Sequence, residues 1–134
     1  DVARPALVRG FDDVFYVPVS RHTETREADL PKGVGVEVLA TSPQAGLCLV
    51  QDVPRRHVLM FNHLEYDTLT LQDEFRRDLG RRADVALPEN YYPYDDPDQR
   101  PRNRWRAYAH LLFGNWINEI YQTVPYELER IGTA

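Results

Sequence analysis

Apolar positions bunch into three short runs in the middle of the chain: "VGVEVLA" (34–40), "GLCLVQD" (46–52) and "HVLMFN" (57–62). Each is too short for a helix and bounded by turn residues, which predicts strands. The breaks between them, "SPQAG" and "VPRR", leave room only for tight reversals, so neighbouring runs are expected to pair antiparallel. The third run is apolar on consecutive residues, as a central strand covered on both faces is. An earlier stretch, "VFYVPVS" (14–20), is β-branched and aromatic between Asp12-Asp13 and polar residues, and predicts one more strand. The charged "RHTETREADLPKG" after it ends in Pro31 and Gly33 and reads as a loop with a short helical turn around 24–29.

Past residue 66 the period changes. Leu71, Phe75 and Leu79 recur every four residues, which predicts a helix with one buried stripe. Asp67 or Thr68 is placed to cap its start, and Gly80 to stop it. Trp105, Tyr108, Leu112, Trp116 and Ile120 then mark a long amphipathic helix over 103–122. Between the helices, "LPENYYPYDDPDQRPRN" is too rich in proline for a regular element and too aromatic for an idle linker. It is expected to be an ordered loop packed on the body. Strands leading into helices imply an α/β layered fold, in which chemistry gathers at the carboxyl ends of strands.

Length and composition narrow the classes. A chain of 134 residues with 43% hydrophobic and 11% aromatic residues has enough material for one globular core. Its net charge of −5 and pI near 5.3 argue against a nucleic-acid partner. The "RPRNRWR" cluster (100–106) stands next to the acidic "YDDPD" and reads as a solvated helix start. No run approaches the ~18 apolar residues of a membrane span, so no membrane partner is expected. A single cysteine, Cys48, excludes an internal disulfide and fits a reducing, cytoplasmic setting. The chain opens "DVARPALVRGFDD" without an initiator methionine, and is expected to be the back part of something longer.

"MFNHLEYDTL" (60–69) carries the candidate chemistry. His63 and Glu65 leave the end of an apolar run at i, i+2 spacing, so both side chains can project to one side. A histidine acts as a general base when a carboxylate fixes its tautomer and orientation. The same pair also fits a surface ion pair, part of a metal site, or a histidine bonded to backbone. His22, His57 and His110 show no ligand spacing, and no metal is expected. Cys48, flanked by leucines inside a strand, reads as a core thiol and not a nucleophile. Ser20 ends a predicted strand and offers either a ligand-binding hydroxyl or a local backbone bond. Arg76 and Arg77 follow on the helix, either solvated or turned back to grip a small carboxylate.

"RGFDD", "VPVSRHTE", "HLEYDTLTLQDEFRRD", "NYYPYDDPDQRPRNRWR" and "LLFGNWINEIYQTVPYEL" occur in one order. Together they resemble the carboxyl-terminal half of the homoserine O-succinyltransferase family, which includes homoserine O-acetyltransferases of the same fold. The resemblance runs from about Arg9 to Leu128. It implies a flavodoxin-like three-layer α/β sandwich of the class I glutamine amidotransferase kind, of which residues 1–134 form the carboxyl-terminal part of one catalytic domain. It implies acyl transfer from succinyl-CoA or acetyl-CoA to the hydroxyl of L-homoserine in methionine biosynthesis, with no cofactor besides the acyl-CoA co-substrate. A homodimer is implied for the complete enzyme. His63 falls on the family's general base and Glu65 on the carboxylate that orients it. Arg77 and Ser20 fall on substrate-binding positions. The family's acyl-accepting cysteine lies upstream, and Cys48 does not match it. Asn62-His63-Leu64-Glu65 replaces the family's usual Gly-His-Pro-Glu, and Pro18-Val19-Ser20 its Pro-His-Ser, so the stiffness of both turns differs. A glutamine amidotransferase-like cysteine hydrolase shares such a triad, and a non-catalytic fragment of either enzyme is the third reading.

Overall fold

The three apolar runs fold as β1 (Val36–Ser42), β2 (Gly46–Asp52) and β3 (His57–Met60), one antiparallel sheet in the order β1-β2-β3. This is a computed structural model, and it describes residues 5–82 and 84–132; the opening Asp1–Arg4 lies outside the described residues. Both reversals are built by short side chains. The Ser42 hydroxyl accepts from the amides of Gln44 and Ala45 at 3.2 and 3.1 Å, and Gly46 enters β2 at φ +68, where a Cβ is strained. In the second turn Asp52 accepts from the Arg55 amide and guanidinium, at 3.3 and 2.9 Å.

The antiparallel pairing expected from the short breaks is what forms. The expectation that the third run is a doubly covered central strand is not met. β2 takes the middle, with Leu47, Cys48, Leu49 and Val50 all buried, while β3 lies at the edge with His57 and Leu59 exposed. Two consecutive tight turns fold both neighbours onto the segment between them, so chain order alone places β2 in the centre. The apolar residues beyond Met60 do not extend the strand; Phe61 and Asn62 begin the turn toward the first helix.

Residues 14–20 form no strand, against the sequence reading. Pro18 has no amide to donate to a ladder. Its carbonyl instead accepts from the His63 amide at 2.9 Å. The short helical turn expected near 24–29 is present at Glu27–Asp29.

The first helix, α1 (Thr70–Leu79), stops at Gly80 as expected. Its start is not capped by Asp67 or Thr68, because no side chain of the preceding turn bonds into it. Tyr91 does this work from the proline-rich loop. Its hydroxyl accepts from the Gln72 amide at 3.2 Å and donates to the Thr68 carbonyl at 2.6 Å. That satisfies one of the orphan amides of the first turn from outside the helix. The loop is thus ordered and packed, with Tyr91 and Tyr92 buried.

The second helix, α2 (Arg106–Thr123), starts where the Asn103 carboxamide oxygen accepts from the amides of Trp105 and Arg106, at 3.2 and 2.9 Å. Trp105 and Leu112 are buried against Leu7, Val8 and Phe11 from the amino-terminal turn and against Cys48, Leu49, Leu64 and Leu71. Asn115 ties the helix to that turn by donating to the Leu7 and Arg9 carbonyls at 3.0 and 2.8 Å. Both predicted stripes run out before their helices do. Leu79 on α1 and Trp116 and Ile120 on α2 are exposed. The described residues therefore form an α/β unit with a small antiparallel sheet and two helices, none long and apolar enough to cross a membrane.

Candidate active site

The turn from β3 into α1 is held against β2 before any of its functional side chains is placed. The Phe61 amide donates to the Cys48 carbonyl at 3.0 Å. The Asn62 carboxamide donates to the same carbonyl at 2.7 Å and reaches the Cys48 sulfur at 2.9 Å. A carboxamide at a position where the resembled family has glycine thus replaces backbone freedom with side-chain anchoring. Cys48 itself is buried in the core. Burial pushes its thiol up to about 11, against the smaller opposing effects of Asn62 and Arg21, so it stays protonated at neutral pH.

His63 is then fixed on three sides. Its Nδ1 lies 2.8 Å from the Glu65 carboxylate, its Nε2 3.1 Å from the Ser20 carbonyl, and the Tyr66 ring stacks on it at 4.3 Å between centroids, 18° from parallel. Glu65 and the Ser20 carbonyl can only accept, so the imidazole donates to whichever of them its protons face. The carboxylate favours the tautomer with its proton on Nδ1. Nε2 then faces the Ser20 carbonyl without a proton and bonds it only once the ring is an imidazolium, so in the neutral ring Nε2 is the nitrogen able to take a proton. The His63 side chain is 33% exposed and Glu65 53%, which leaves the pair within reach of a ligand. The bond expected from the i, i+2 spacing forms, but in a turn that the Tyr66 amide closes on the His63 carbonyl at 3.2 Å, beyond the end of the edge strand β3 and not on the end of a central strand.

The Ser20 carbonyl lies 3.1 Å from His63 Nε2, a contact that the sequence reading, centred on the Ser20 hydroxyl, did not anticipate. Arg21, which the sequence reading passed over, holds that segment down. Its guanidinium donates to the carbonyls of Leu47 and Phe61, each at 3.4 Å, and to that of Ala45. These contacts pin residues 18–21 across the start of β2 and the end of β3, which keeps the Ser20 carbonyl beside His63.

Tyr66 is the other residue the sequence reading missed. Its hydroxyl donates to Glu74 Oε1 at 2.9 Å, and its carbonyl accepts from the Trp105 indole at 2.8 Å. Burial and then the Glu74 bond push the phenol up to about 12, so it remains a donor throughout the physiological range. The available signal was a tyrosine directly after the His-x-Glu pair and a glutamate one helical turn before Arg77. Arg77 bonds its neighbour Asp78 through Nε at 2.8 Å and through a terminal nitrogen at 3.2 Å. That bond raises the arginine further and lowers the aspartate. The charge of Arg77 opposes the rise of the Tyr66 phenol only weakly. Among the described residues no three histidine, cysteine, aspartate or glutamate side chains gather as a metal site.

Comparison with known proteins matches this chain over residues 2–126 to the family described as homoserine O-succinyltransferase. A protein of Brucella melitensis biotype 1 named homoserine O-acetyltransferase is 53% identical over 131 residues, which are 98% of this chain and 42% of that protein. Proteins of the same name from Brucella canis and Brucella suis are each 54% identical over 130 residues, 97% of this chain and 42% of theirs. The chain thus spans about two-fifths of the length of the curated relatives it matches.

Proposed function

The chain belongs to the homoserine O-succinyltransferase family, and on that premise we propose that it forms the histidine-bearing part of an enzyme that moves a short acyl group from acyl-CoA to the hydroxyl of L-homoserine. The observation that carries this reading is the 2.8 Å bond between His63 and Glu65 where β3 turns toward α1. The whole catalytic domain is proposed to be a flavodoxin-like sandwich, with residues 1–134 as its carboxyl-terminal part. It acts in the cytoplasm as a homodimer in methionine biosynthesis.

The reaction proceeds through an acyl-cysteine whose sulfur lies outside this chain; Cys48, buried and held protonated, is unsuited to that task. His63 takes the thiol proton, the thiolate attacks the thioester carbonyl, and CoA leaves as its thiol. The homoserine hydroxyl then attacks the acyl-cysteine while Nε2 of His63 takes its proton, which passes to the departing sulfur. Glu65 keeps Nδ1 protonated and stabilises the imidazolium formed in both halves. Arg77 binds the homoserine carboxylate, for which its planar fork is suited once it exchanges Asp78 for the ligand. The Ser20 segment frames the hydroxyl being acylated. The relatives' names favour acetyl as the acyl group, whereas the family description says succinyl.

The test is release of CoA by the full-length protein carrying this chain, supplied with acetyl-CoA or succinyl-CoA and L-homoserine. O-acyl-homoserine formation that vanishes in His63→Ala supports the reading. Glutamine hydrolysis in its place assigns a glutaminase-type enzyme, and no turnover with either substrate leaves a non-catalytic module.

A further inference from the structure

A cavity of about 350 Å³ opens in the proline-rich loop, lined by Asn90, Tyr92, Tyr94, Asp95, Arg102 and Arg104. That volume is enough for a small organic group. Its wall is made of unusual backbone. Asn90, Tyr94 and Asp95 stand at φ of 58°, 58° and 54°, where residues other than glycine are strained. Such backbone persists where its contacts over-determine it, and it gathers at ligand clamps. Here the Asn90 amide donates to the Asp95 carboxylate at 2.8 Å, and the Asp95 amide to the Tyr92 carbonyl at 3.1 Å. The turn holds one aromatic ring out in solvent. Tyr94 is 93% exposed, while Tyr91 and Tyr92 beside it are buried.

Two guanidiniums and one carboxylate line the cavity, a local positive balance on a chain of net charge −5. The carboxylate of Asp95 is engaged by the Asn90 amide, and that of Asp96 by the Asp98 amide and the Gln99 carboxamide. Arg104 is engaged too. It donates to the Asn90 carbonyl, and its guanidinium lies 3.9 Å from the centre of the Tyr16 ring. Arg102 has neither a hydrogen bond nor an ion pair among the described residues. An exposed aromatic face and a spare guanidinium at one cavity suit a nucleotide, whose base stacks while a phosphate meets the planar fork.

The cavity is also fastened to the histidine turn. Trp105, next to Arg104, donates from its indole to the Tyr66 carbonyl at 2.8 Å, and the Tyr91 hydroxyl donates to the Thr68 carbonyl at 2.6 Å. A nucleotide bound here is held in fixed relation to His63 without touching it. Acyl-CoA has that layout, since its thioester and its phosphorylated adenosine lie at opposite ends of the pantetheine arm.

We infer that the loop of residues 90–104 anchors the phosphorylated adenosine of the acyl-CoA donor, with the Tyr94 ring on the adenine and the Arg102 guanidinium on a phosphate. This rests on the acyltransferase reading above and adds to it the place where the donor is held. No bond is made or broken there.

The experiment compares acetyl-CoA with S-acetyl-pantetheine, or the succinyl pair if that is the group used, as donors for the full-length protein. The second donor has the same thioester and arm but no nucleotide. Arg102→Ala should raise the KM for acyl-CoA about tenfold with kcat unchanged, the loss of one charge-assisted bond. Tyr94→Gly should do the same by removing a base stack. Glycine also relieves the positive φ, so this variant separates loss of the ring from loss of the turn. In both, the preference for acyl-CoA over acyl-pantetheine should fall by about the same factor. Equal losses on both donors assign the loop to the fold or to another part of the protein, and overturn the inference. So does a variant that loses nothing, or a wild type that uses the two donors equally well.

Calorimetry with adenosine 3′,5′-bisphosphate reads the cavity without turnover. The wild type should bind it, and each variant about tenfold more weakly. No binding by the wild type overturns the inference. Inorganic phosphate bound as tightly as the bisphosphate also overturns it, because the base would then contribute nothing. If the full-length protein acylates no acceptor, the acyltransferase reading falls and this titration decides the nucleotide site by itself.

Discussion

Tyr66 lies flat against His63, the two ring centroids 4.3 Å apart. The tyrosine is itself held at both ends, by Glu74 at its hydroxyl and by the Trp105 indole at its carbonyl. A base that must transfer a proton along one direction loses rate when its plane is free to rock. Tyr66→Leu, which removes the flat face, should lower kcat about tenfold in the full-length enzyme with little change in the KM for the acceptor. Tyr66→Phe keeps the stack and should recover most of the loss. Two variants with equal kcat would show that the stacked ring does not position the imidazole.

Cys48 makes a prediction in alkali. Its folded thiol is pushed up from 9.0 to about 11, chiefly by burial. The folded state thus holds its proton where the unfolded chain has released it. Stability from this source is full below pH 9 and declines as the pH rises through the window up to about 11. The loss is on the order of 2 kcal/mol, from the free energy of shifting a proton equilibrium by that much. Urea unfolding of wild type and Cys48→Ala at several pH values checks it. The difference between them isolates the thiol from the tyrosines that titrate nearby, and it should narrow as the pH climbs and reverse sign before about pH 11. Turnover in Cys48→Ala should stay near wild type, at a stability cost of about 1 kcal/mol at neutral pH.

Arg77 and His63 should separate by half-reaction. Arg77→Ala should weaken the use of L-homoserine by about 2–5 kcal/mol of transition-state binding, while the burst of CoA release without acceptor survives. His63→Ala should abolish both, because one base serves the thiol and then the hydroxyl. Burst measurements with and without L-homoserine distinguish the outcomes. Loss of the burst in Arg77→Ala would move that arginine from the acceptor to the acyl donor or to the fold.

Tyr91 should matter to the fold more than the residues that resemble a cap. Tyr91→Phe removes the hydroxyl that serves both the Gln72 amide and the Thr68 carbonyl, and should cost about 1–2 kcal/mol of stability. Asp67→Ala and Thr68→Ala, whose side chains bond no amide of the first turn, should cost a few tenths of a kcal/mol. Chemical denaturation of the three variants ranks them. A larger loss in Asp67→Ala than in Tyr91→Phe reverses the assignment of the cap.

The elements most legible from the residues alone are those governed by neighbours in the chain. The hairpin pairing of residues 36–60 follows from breaks too short for any other route, and the reach of Glu65 to His63 from their i, i+2 spacing, although the pair lies in a turn past β3. The burial of Cys48 follows from the leucines around it. Contacts made across the fold were decided only by tertiary structure. Pro18 withholds an amide and leaves residues 14–20 outside the sheet, and that segment serves the site by turning the Ser20 carbonyl onto His63. Tyr91 caps a helix that starts more than twenty residues before it. Glu74 gains meaning only once Tyr66 links it to the imidazole. Local spacing fixes which side chains can reach along one strand or helix face; it carries no information on which distant donor meets which acceptor. That is set by how the sheet and two helices close on one core.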